Sequence, residues 1–362
     1  MKKYELPTPA LVLDLERFNN ALNNMAAMAA GAGKKLRPHA KTHKCSEIAK
    51  RQLKAGNCAG ICAAKLSEAE ALLQSGIEDV LLTSPVIAPR RIARMAELKY
   101  GYPGLWCTVD NVENLRALNA AGVKFDVLAD VNPHMGRTGV EFEDVPEFVK
   151  AILAMPNLRF RGIQCYAGNL QHITSAAERA SATCEVMKQA AAIVRDLRKD
   201  GIECEILTGT GTGTAAFDID IPELTDIQVG SYCMMDNEYY NIEGIGSNYP
   251  CALTCLSTVV STNQKEFVTI DAGLKALYFT PHAPPRKAAC GGTPDAEWSY
   301  EWFGDEHGQL FFPAGKKPAL GDVVELILPH CDPTINLHDR IFLCSGNEVI
   351  EELPIDLRGK CF

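Results

Sequence analysis

One stretch near the start of the chain gathers side chains that could carry out nucleophilic chemistry. The run Arg37-Pro38-His39-Ala40-Lys41-Thr42-His43-Lys44 sets a lysine among two histidines and further cations, at the end of a strand-like stretch. A lysine amine attacks an aldehyde only when its pKa is lowered, and neighbouring positive charge or burial lowers it. Runs of charge are usually solvated surface, but this run follows an apolar strand. We therefore expect Lys41 to be a nucleophile whose pKa Arg37 and Lys44 help to lower.

A second stretch has the composition of an anion-binding loop. The run Thr208-Gly209-Thr210-Gly211-Thr212-Gly213-Thr214 alternates threonine and glycine. Glycines let backbone N–H groups turn toward an anion, and threonine hydroxyls add hydrogen-bond donors. The run lacks the Gly-Lys-Ser/Thr of a Walker loop, and alone it is equally typical of a flexible turn. Together with a reactive lysine it predicts a site for pyridoxal 5′-phosphate, with Thr208, Gly211, Thr212 and Gly213 at the phosphate.

A third cluster, near the end of the chain, contains residues of the types that bind metal ions. His330-Cys331-Asp332 follows a β-rich stretch. In a strand, residues two apart face the same side, so His330 and Asp332 could bind one metal ion while Cys331 points away. Imidazole with carboxylate suits Mn²⁺ or Mg²⁺, whereas imidazole with thiolate would favour Zn²⁺. The sequence therefore predicts a divalent metal at His330 and Asp332, with Mn²⁺ as the first choice and Mg²⁺ as the second.

The elements that must position these residues alternate regularly between strand and helix. The predicted strands are 35–40, 59–64, 79–84, 105–109, 125–131, 159–165, 203–208 and 227–231. Eight strands, each followed by a helix or turn, predict a (β/α)8 TIM-like barrel, which places its chemistry at the carboxyl ends of the strands. The alternative is a doubly wound open sheet, whose usual glycine-rich turn follows its first strand; here the glycines follow the seventh.

From about Cys251 the sequence changes to β-rich segments separated by Gly and Pro turns. We predict three parts. Residues 1–30 form an N-terminal strand and helix, residues 31–250 form the barrel that binds pyridoxal phosphate, and residues 251–362 form a β-rich C-terminal domain that carries the metal ligands.

Composition narrows the classes of function. The chain has 362 residues and a net charge of -9, which argues against binding to nucleic acid or to an anionic membrane. Its first residues have neither the charged start nor the apolar core of a signal peptide, and no apolar run is long enough to cross a bilayer. We expect a cytoplasmic protein that acts on a small molecule.

The motif around Lys41 resembles the cofactor-lysine signature of the D-threonine aldolase and D-serine dehydratase family. Members of that family are pyridoxal phosphate enzymes with an alanine-racemase-like fold. The resemblance implies that Lys41 carries the cofactor, that the first strand near Pro9 joins the C-terminal domain, and that the protein is a homodimer. Similar chains usually have glycine where this one has Thr210.

The resemblance also assigns roles at other strand ends. Arg137, between Gly136 and Gly139, is typical of a helix cap or of a residue that contacts the cofactor ring, and the similar Gly-Arg-x-Gly element of the family favours the second interpretation. Tyr166 and His172 resemble a pair in which the tyrosine contacts the cofactor and the histidine lies near the substrate hydroxyl, so His172 is our choice of general base. Tyr232, in Gln-x-Gly-Ser-Tyr, resembles a tyrosine near the phosphate.

These residues together predict a metal-assisted aldolase. It would cleave the Cα–Cβ bond of a 3-hydroxy-D-amino acid to glycine and an aldehyde, with the metal lowering the pKa of the hydroxyl or of a water and His172 taking the proton. A dehydratase acting on D-serine or 3-hydroxyaspartate is the alternative, although dehydratases of the family have cysteine where Asp332 stands. A pyridoxal phosphate carrier without turnover and a racemase are further alternatives, and neither needs a metal. The run 305–308 also matches a family element, but its role stays open.

Overall fold

The structure is a computed structural model that describes residues 1–289 and 291–362. The chain divides into two compact units. The barrel unit comprises Met25–Lys41, Ser46–Gly230 and Lys360–Phe362, and the sheet unit comprises Met1–Asn24, Thr42–Cys45 and Ser231–Gly359.

The elements follow in chain order. The first part of the chain contains β1 (Ala10–Asp14), α1 (Leu15–Gly31), β2 (Lys35–Leu36), α2 (Ser46–Ala55), β3 (Ile61–Ala63), α3 (Leu66–Gln74), β4 (Val80–Leu82), α4 (Pro89–Gly101), β5 (Leu105–Val109), α5 (Val112–Ala120), β6 (Phe125–Asp130), α6 (Val145–Leu153), β7 (Leu158–Cys165), α7 (Ala176–Lys199), β8 (Ile206–Gly209), α8 (Ala215–Asp218) and β9 (Asp226–Ile227). The rest contains α9 (Asn237–Tyr240), β10 (Leu253–Ser261), β11 (Phe267–Ile270), β12 (Arg286–Lys287), β13 (Ser299–Trp302), β14 (Gly308–Phe311), β15 (Val323–Ile327), α10 (Cys331–Ile335), β16 (Arg340–Ser345) and β17 (Glu348–Pro354).

The barrel unit is built on eight parallel strands in the order β2-β9-β8-β7-β6-β5-β4-β3. Isolated parallel bridges from Leu36 to Cys58 and from His39 to Cys62 join β2 to the chain around β3 and so close the ring. The strands are short and buried, as expected where helices cover the outside of a parallel sheet. The predicted barrel is confirmed, and each of the eight predicted strands overlaps one that the structure contains.

Charged side chains fill part of the barrel interior. Arg37 is 3% exposed and pairs with Asp79 and with Asp226, whose Oδ1 lies 3.2 Å from the arginine Nε. The guanidinium also lies 5.6 Å from the ring of Trp106, which Arg161 approaches to 4.3 Å. Burying these charges is tolerable because each faces an opposite charge or an aromatic ring.

The sheet unit is a mixed sheet in which β1 has a central place. β1 pairs antiparallel with β10 and parallel with β16, within the order β13-β14-β11-β10-β1-β16-β17. Residues 231–250, which the sequence analysis assigned to the barrel, belong to this unit. Backbone hydrogen bonds explain the difference, because Ala252 N–H donates to Met234 O at 2.7 Å and Asn237 N–H donates to Leu328 O at 2.9 Å. None of the helices that the structure describes is both long enough and apolar enough to span a bilayer.

Candidate active site

Lys41 lines a pocket of about 390 Å³ in the barrel unit. The pocket lies at the carboxyl ends of the strands, because its lining residues are found at these ends or in the loops that follow them. Those that matter here are His39, Lys41, Arg137, Gln164, Tyr166 and Gln228. This is the end of a (β/α)8 barrel at which active sites occur, and the volume falls in the range of small-molecule sites.

The residues around Lys41 are held by hydrogen bonds and ion pairs. Arg37 pairs with two carboxylates inside the barrel, and its effect on the pKa of Lys41 stays a prediction. The backbone N–H of Lys41 donates a hydrogen bond to His39 Nδ1 at 3.4 Å. His39 Nε2 lies 3.1 Å from the Thr83 hydroxyl, so the imidazole is held from both sides.

The structure brings Arg137 and Tyr166 to the same pocket as Lys41. The Arg137 guanidinium lies 5.6 Å from the centre of the Tyr166 ring, within cation–π distance. Two hydrogen bonds hold the loop directly after Arg137. The Thr138 hydroxyl donates to Asp130 Oδ2 at 2.7 Å, and Gly139 N–H donates to Asp110 Oδ2 at 3.1 Å.

The glycine–threonine run follows β8 and packs against one buried side chain, Gln171. Gly213 N–H donates to Gln171 Oε1 at 2.9 Å, and Gln171 Nε2 donates to the Thr214 hydroxyl at 3.0 Å. A methyl group at Gly211 would lie 2.6 Å from Gln171 Oε1, and one at Gly213 would overlap the Gln171 backbone. Glycine is therefore required here for the close approach of Gln171. Two of the N–H groups expected at a phosphate already have partners, since Gly211 N–H also donates to the Thr214 hydroxyl at 3.4 Å.

Thr210 has a backbone conformation that favours glycine. Its φ is +61°, in the left-handed region. The side chain offsets this cost through hydrogen bonds, one to the Thr214 hydroxyl at 2.8 Å and one to the Asp218 carboxylate. Burial raises the pKa of Asp218 to about 6, against hydrogen bonds from Thr183 and Thr214 that lower it.

Among the described residues, Gly211, Thr212 and Gly213 do not line the Lys41 pocket, and neither do three further predicted residues. Thr208 is buried, and its hydroxyl donates to Asp226 Oδ1 at 2.6 Å, so it faces the barrel interior. His172 follows the buried Gln171 and is exposed, and it is not among the described residues that line the Lys41 pocket. Tyr232 is buried in the sheet unit, in a short 3-10 helix.

The predicted metal ligands meet in the sheet unit beside further carboxylates. His330 Nε2 lies 3.9 Å from Asp332 Oδ1, and two atoms that each lie about 2.1 Å from one small divalent ion would be about 3 to 4 Å apart. The other ring nitrogen, Nδ1, lies 2.9 Å from Asp236 Oδ2 and 3.4 Å from Glu238 Oε2. Burial lowers the pKa of His330, but the neighbouring carboxylates, Asp236 first, outweigh it and raise the pKa to about 9. This position therefore favours a positive charge.

The backbone at these ligands is not the predicted strand. His330 is extended and precedes α10, and Asp332 stands in the first turn of that helix. Pro333, which is well tolerated in a first helical turn, was the available signal for this helix. The Cys331 side chain is buried and donates to Met235 O at 3.2 Å. Across residues 1–289 and 291–362, no group of three or more His, Cys, Asp or Glu side chains is placed to hold a metal ion.

Comparisons with known proteins identify the family of the chain. The sequence profile of the alanine racemase N-terminal domain matches residues 13–238, and that of a serine dehydratase domain matches residues 252–344. A D-threonine aldolase from Arthrobacter sp is 38% identical over 97% of this chain and 93% of its own length. The chain belongs to the D-threonine aldolase branch of the alanine-racemase-like family. A 3-hydroxy-D-aspartate aldolase from Paracoccus denitrificans (strain Pd 1222), which is 33% identical over 99% of this chain and 94% of its own length, falls in the same branch.

The fold of the family extends over the whole chain. The crystal structure of D-threonine aldolase from Filomicrobium marinum superposes with a TM-score of 0.92 at 33% identity, covering 100% of this chain and 98% of that one. The predicted family and fold are confirmed, and the predicted enzyme class, a carbon–carbon lyase, agrees with the names of these relatives. Asp236, whose carboxylate contacts His330 and also caps α9, was not predicted, because an aspartate at the start of a helix is common and does not indicate a distant histidine.

Proposed function

We propose that the chain is an aldolase that depends on pyridoxal phosphate and a divalent metal and cleaves the Cα–Cβ bond of 3-hydroxy-D-amino acids to glycine and an aldehyde. The observation that carries the proposal is the pocket at the strand ends, where Lys41, Arg137 and Tyr166 meet. An amine, a cation and an aromatic ring in one pocket suit a phosphorylated aromatic aldehyde. The names of the relatives support the same reaction.

Different residues bind different parts of the cofactor in this proposal. When bound, pyridoxal phosphate withdraws electrons from a Cα bond of the amino acid attached to it. Lys41 supplies the amine that binds the aldehyde, and Tyr166 and Arg137 contact the ring. The run 208–214 lies at the end of β8, where barrels often bind phosphate. We propose Gly211, Thr212 and Gly213 as the residues nearest the phosphate, with Tyr232 as a further contact. The Thr208 hydroxyl supports this loop from the barrel interior.

His330 and Asp332 are the proposed metal ligands. Their donor set, an imidazole nitrogen and a carboxylate oxygen, fits Mn²⁺ first and Mg²⁺ second. Because the Asp236 carboxylate lies against Nδ1, the proton of a neutral imidazole stays on that nitrogen and the lone pair on Nε2 remains for a metal, an arrangement common around metal-binding histidines. A divalent cation held there would lower the pKa of a hydroxyl or water bound to it.

A base must accept the proton of the substrate hydroxyl as the bond breaks. We propose His172, on the exposed loop after β7, for this role. The homodimer and the cytoplasmic location stay predictions.

Product analysis tests the proposal. Purified protein with pyridoxal phosphate and Mn²⁺ is supplied separately with D-threonine, D-serine and D-3-hydroxyaspartate. Glycine with an aldehyde is the expected outcome, and the fastest substrate identifies the side chain. A 2-oxo acid with ammonia would instead establish a dehydratase. Asp332→Ala should abolish turnover and leave the absorption of the bound cofactor in place, whereas full activity in metal-free buffer would remove the metal from the proposal.

A further inference from the structure

A chain of buried hydrogen bonds forms one wall of the Lys41 pocket. It contains Gln164 and Gln228, which both line the pocket, and Thr208. A carboxylate stands at each end of the chain, Asp130 beside Gln164 and Asp226 beside Thr208. A carboxylate accepts hydrogen bonds and donates none, so the two ends dictate the direction of every bond between them.

The direction of these hydrogen bonds determines how the side-chain amides of Gln164 and Gln228 are oriented. Gln164 Nε2 faces two acceptors, Asp130 Oδ1 at 2.8 Å and Thr83 O at 3.1 Å, so its two N–H bonds are used and its Oε1 must face a donor. That donor is Gln228 Nε2 at 3.1 Å. The Thr208 hydroxyl gives its only proton to Asp226, so it can only accept from Gln228 Nε2, at 3.2 Å.

The side-chain oxygen of Gln228, Oε1, takes no part in this chain of hydrogen bonds. Both N–H bonds of Gln228 are used, and within the described residues nothing donates to its Oε1. This oxygen is also not one of the described buried atoms that lack a partner, so it is accessible. Because Gln228 lines the pocket, the pocket meets a carbonyl oxygen there. Rotating the amide would turn N–H groups toward the pocket and would break the hydrogen bonds to Gln164 and Thr208.

We propose that Asp130 and Asp226 are positioning residues that lock the Gln228 amide with its oxygen toward the pocket, and that this oxygen accepts a hydrogen bond from the protonated ring nitrogen of bound pyridoxal phosphate. The inference rests on the proposed function. The protonated ring nitrogen presents an N–H donor, and the other donor of the ring, the 3-hydroxyl, is distinguished from it by the 1-deaza analogue used below, which keeps the hydroxyl. A protonated ring nitrogen withdraws electrons more strongly than a neutral one, which suits cleavage of a Cα–Cβ bond.

The first test needs no mutation. Apo-protein is titrated by equilibrium dialysis with pyridoxal phosphate and with its 1-deaza analogue, in which a ring C–H replaces the nitrogen. Both ligands keep the aldehyde for Lys41 and the phosphate, so their ratio of affinities isolates the ring atom. A hydrogen bond to a charged group predicts that pyridoxal phosphate binds about tenfold or more tightly. Equal affinities overturn the inference and leave the proposed function intact. Failure to bind either ligand overturns the proposed function, and the inference falls with it.

Two variants test whether Gln228 causes the preference for pyridoxal phosphate over its 1-deaza analogue. Gln228→Leu removes the acceptor and should bring the two affinities close to each other. Asn114→Leu is the matched control, because Asn114 is a buried amide of the same unit that donates to Val86 O at 2.5 Å and lies in α5, outside the pocket lining. The control should keep the wild-type ratio. A Gln228→Leu protein that also keeps this ratio contradicts the assignment.

A second pair of variants tests the positioning role of Asp130. Asp130→Asn still offers one oxygen to Gln164 and can donate to the Thr138 hydroxyl, so it should retain the preference for pyridoxal phosphate. Asp130→Val offers no acceptor, frees the Gln164 amide to rotate and should reduce the preference. General destabilisation weakens both ligands alike and leaves the ratio unchanged. Equal ratios in the two variants would therefore contradict the role of Asp130.

Discussion

The pH dependence of stability tests how much free energy it costs to ionise Asp218, which hydrogen-bonds to the glycine–threonine run. The residue is fully buried, and it accepts hydrogen bonds from the Thr183 hydroxyl at 2.7 Å and from Thr210. Burial raises its pKa from 3.8 to about 6, more than these hydrogen bonds lower it. Between pH 3.8 and about pH 6 the folded chain therefore holds a proton that the unfolded chain has lost. The free energy of unfolding falls as the pH rises through this range. Above pH 6 the ionised carboxylate costs about 3 kcal/mol.

Asp218→Asn removes this titration. An amide can accept from Thr183 and donate to Thr210, so the hydrogen bonds can persist. The variant should gain stability relative to wild type as the pH rises from 4 to 7.5, and the difference in unfolding free energy should grow by about 2 kcal/mol. Urea unfolding followed by circular dichroism at several pH values measures it. Asp196→Asn, at an exposed carboxylate paired with Lys199, is the control and should change far less. If Asp218→Asn follows the wild-type pH profile, burial of an ionised Asp218 is refuted.

Three further predictions concern the two proposed sites. Lys41→Ala should lose the visible absorption of bound pyridoxal phosphate, and a variant that keeps this absorption would exclude Lys41 as the attachment point. Asp236→Asn should lower the Mn²⁺ affinity about 10- to 100-fold, since it can stabilise the wrong tautomer of His330; calorimetric titration measures this, and an unchanged affinity would contradict the orienting role. Gly213→Ala should cost about 1–3 kcal/mol of stability through overlap with the Gln171 backbone and should weaken cofactor binding. Gly31→Ala, which meets open space, should be close to neutral, and similar melting temperatures for both variants would refute this account.

The barrel could be predicted from the sequence because its signals are local. Most of the strands are short apolar runs, and Lys41, Arg137 and Tyr166 lie in the segments that follow three of the predicted strands. The pocket then brought Lys41, Arg137 and Tyr166 together as a consequence of the fold, since the carboxyl ends of parallel strands meet at one end of a barrel. Strand order explains why these residues share a pocket, whereas the roles of Arg137 and Tyr166 were implied by the family resemblance.

The residues that orient the site could not be predicted in the same way. Asp236 contacts a histidine 94 positions away, and Gln228 contacts an amide 64 positions away. Neither partner can be identified from spacing, and a glutamine has no chemical feature that marks it as fixed. The same limit applies to the ion pairs of Arg37, which its neighbours in sequence did not indicate. The two carboxylates that balance it come from distant parts of the chain.

The central place of β1 determines when the sheet unit can form during synthesis. The ribosome releases residues 10–14 first, whereas the strands on either side of them are residues 253–261 and 340–345. β1 therefore has no β10 or β16 to pair with until the whole barrel unit has been translated. A fragment that starts at residue 251 would lack this strand and would leave β10 and β16 with unpaired edges, which promote aggregation. A circular permutation that moves residues 1–14 behind residue 362 would place all three strands in one stretch of the gene.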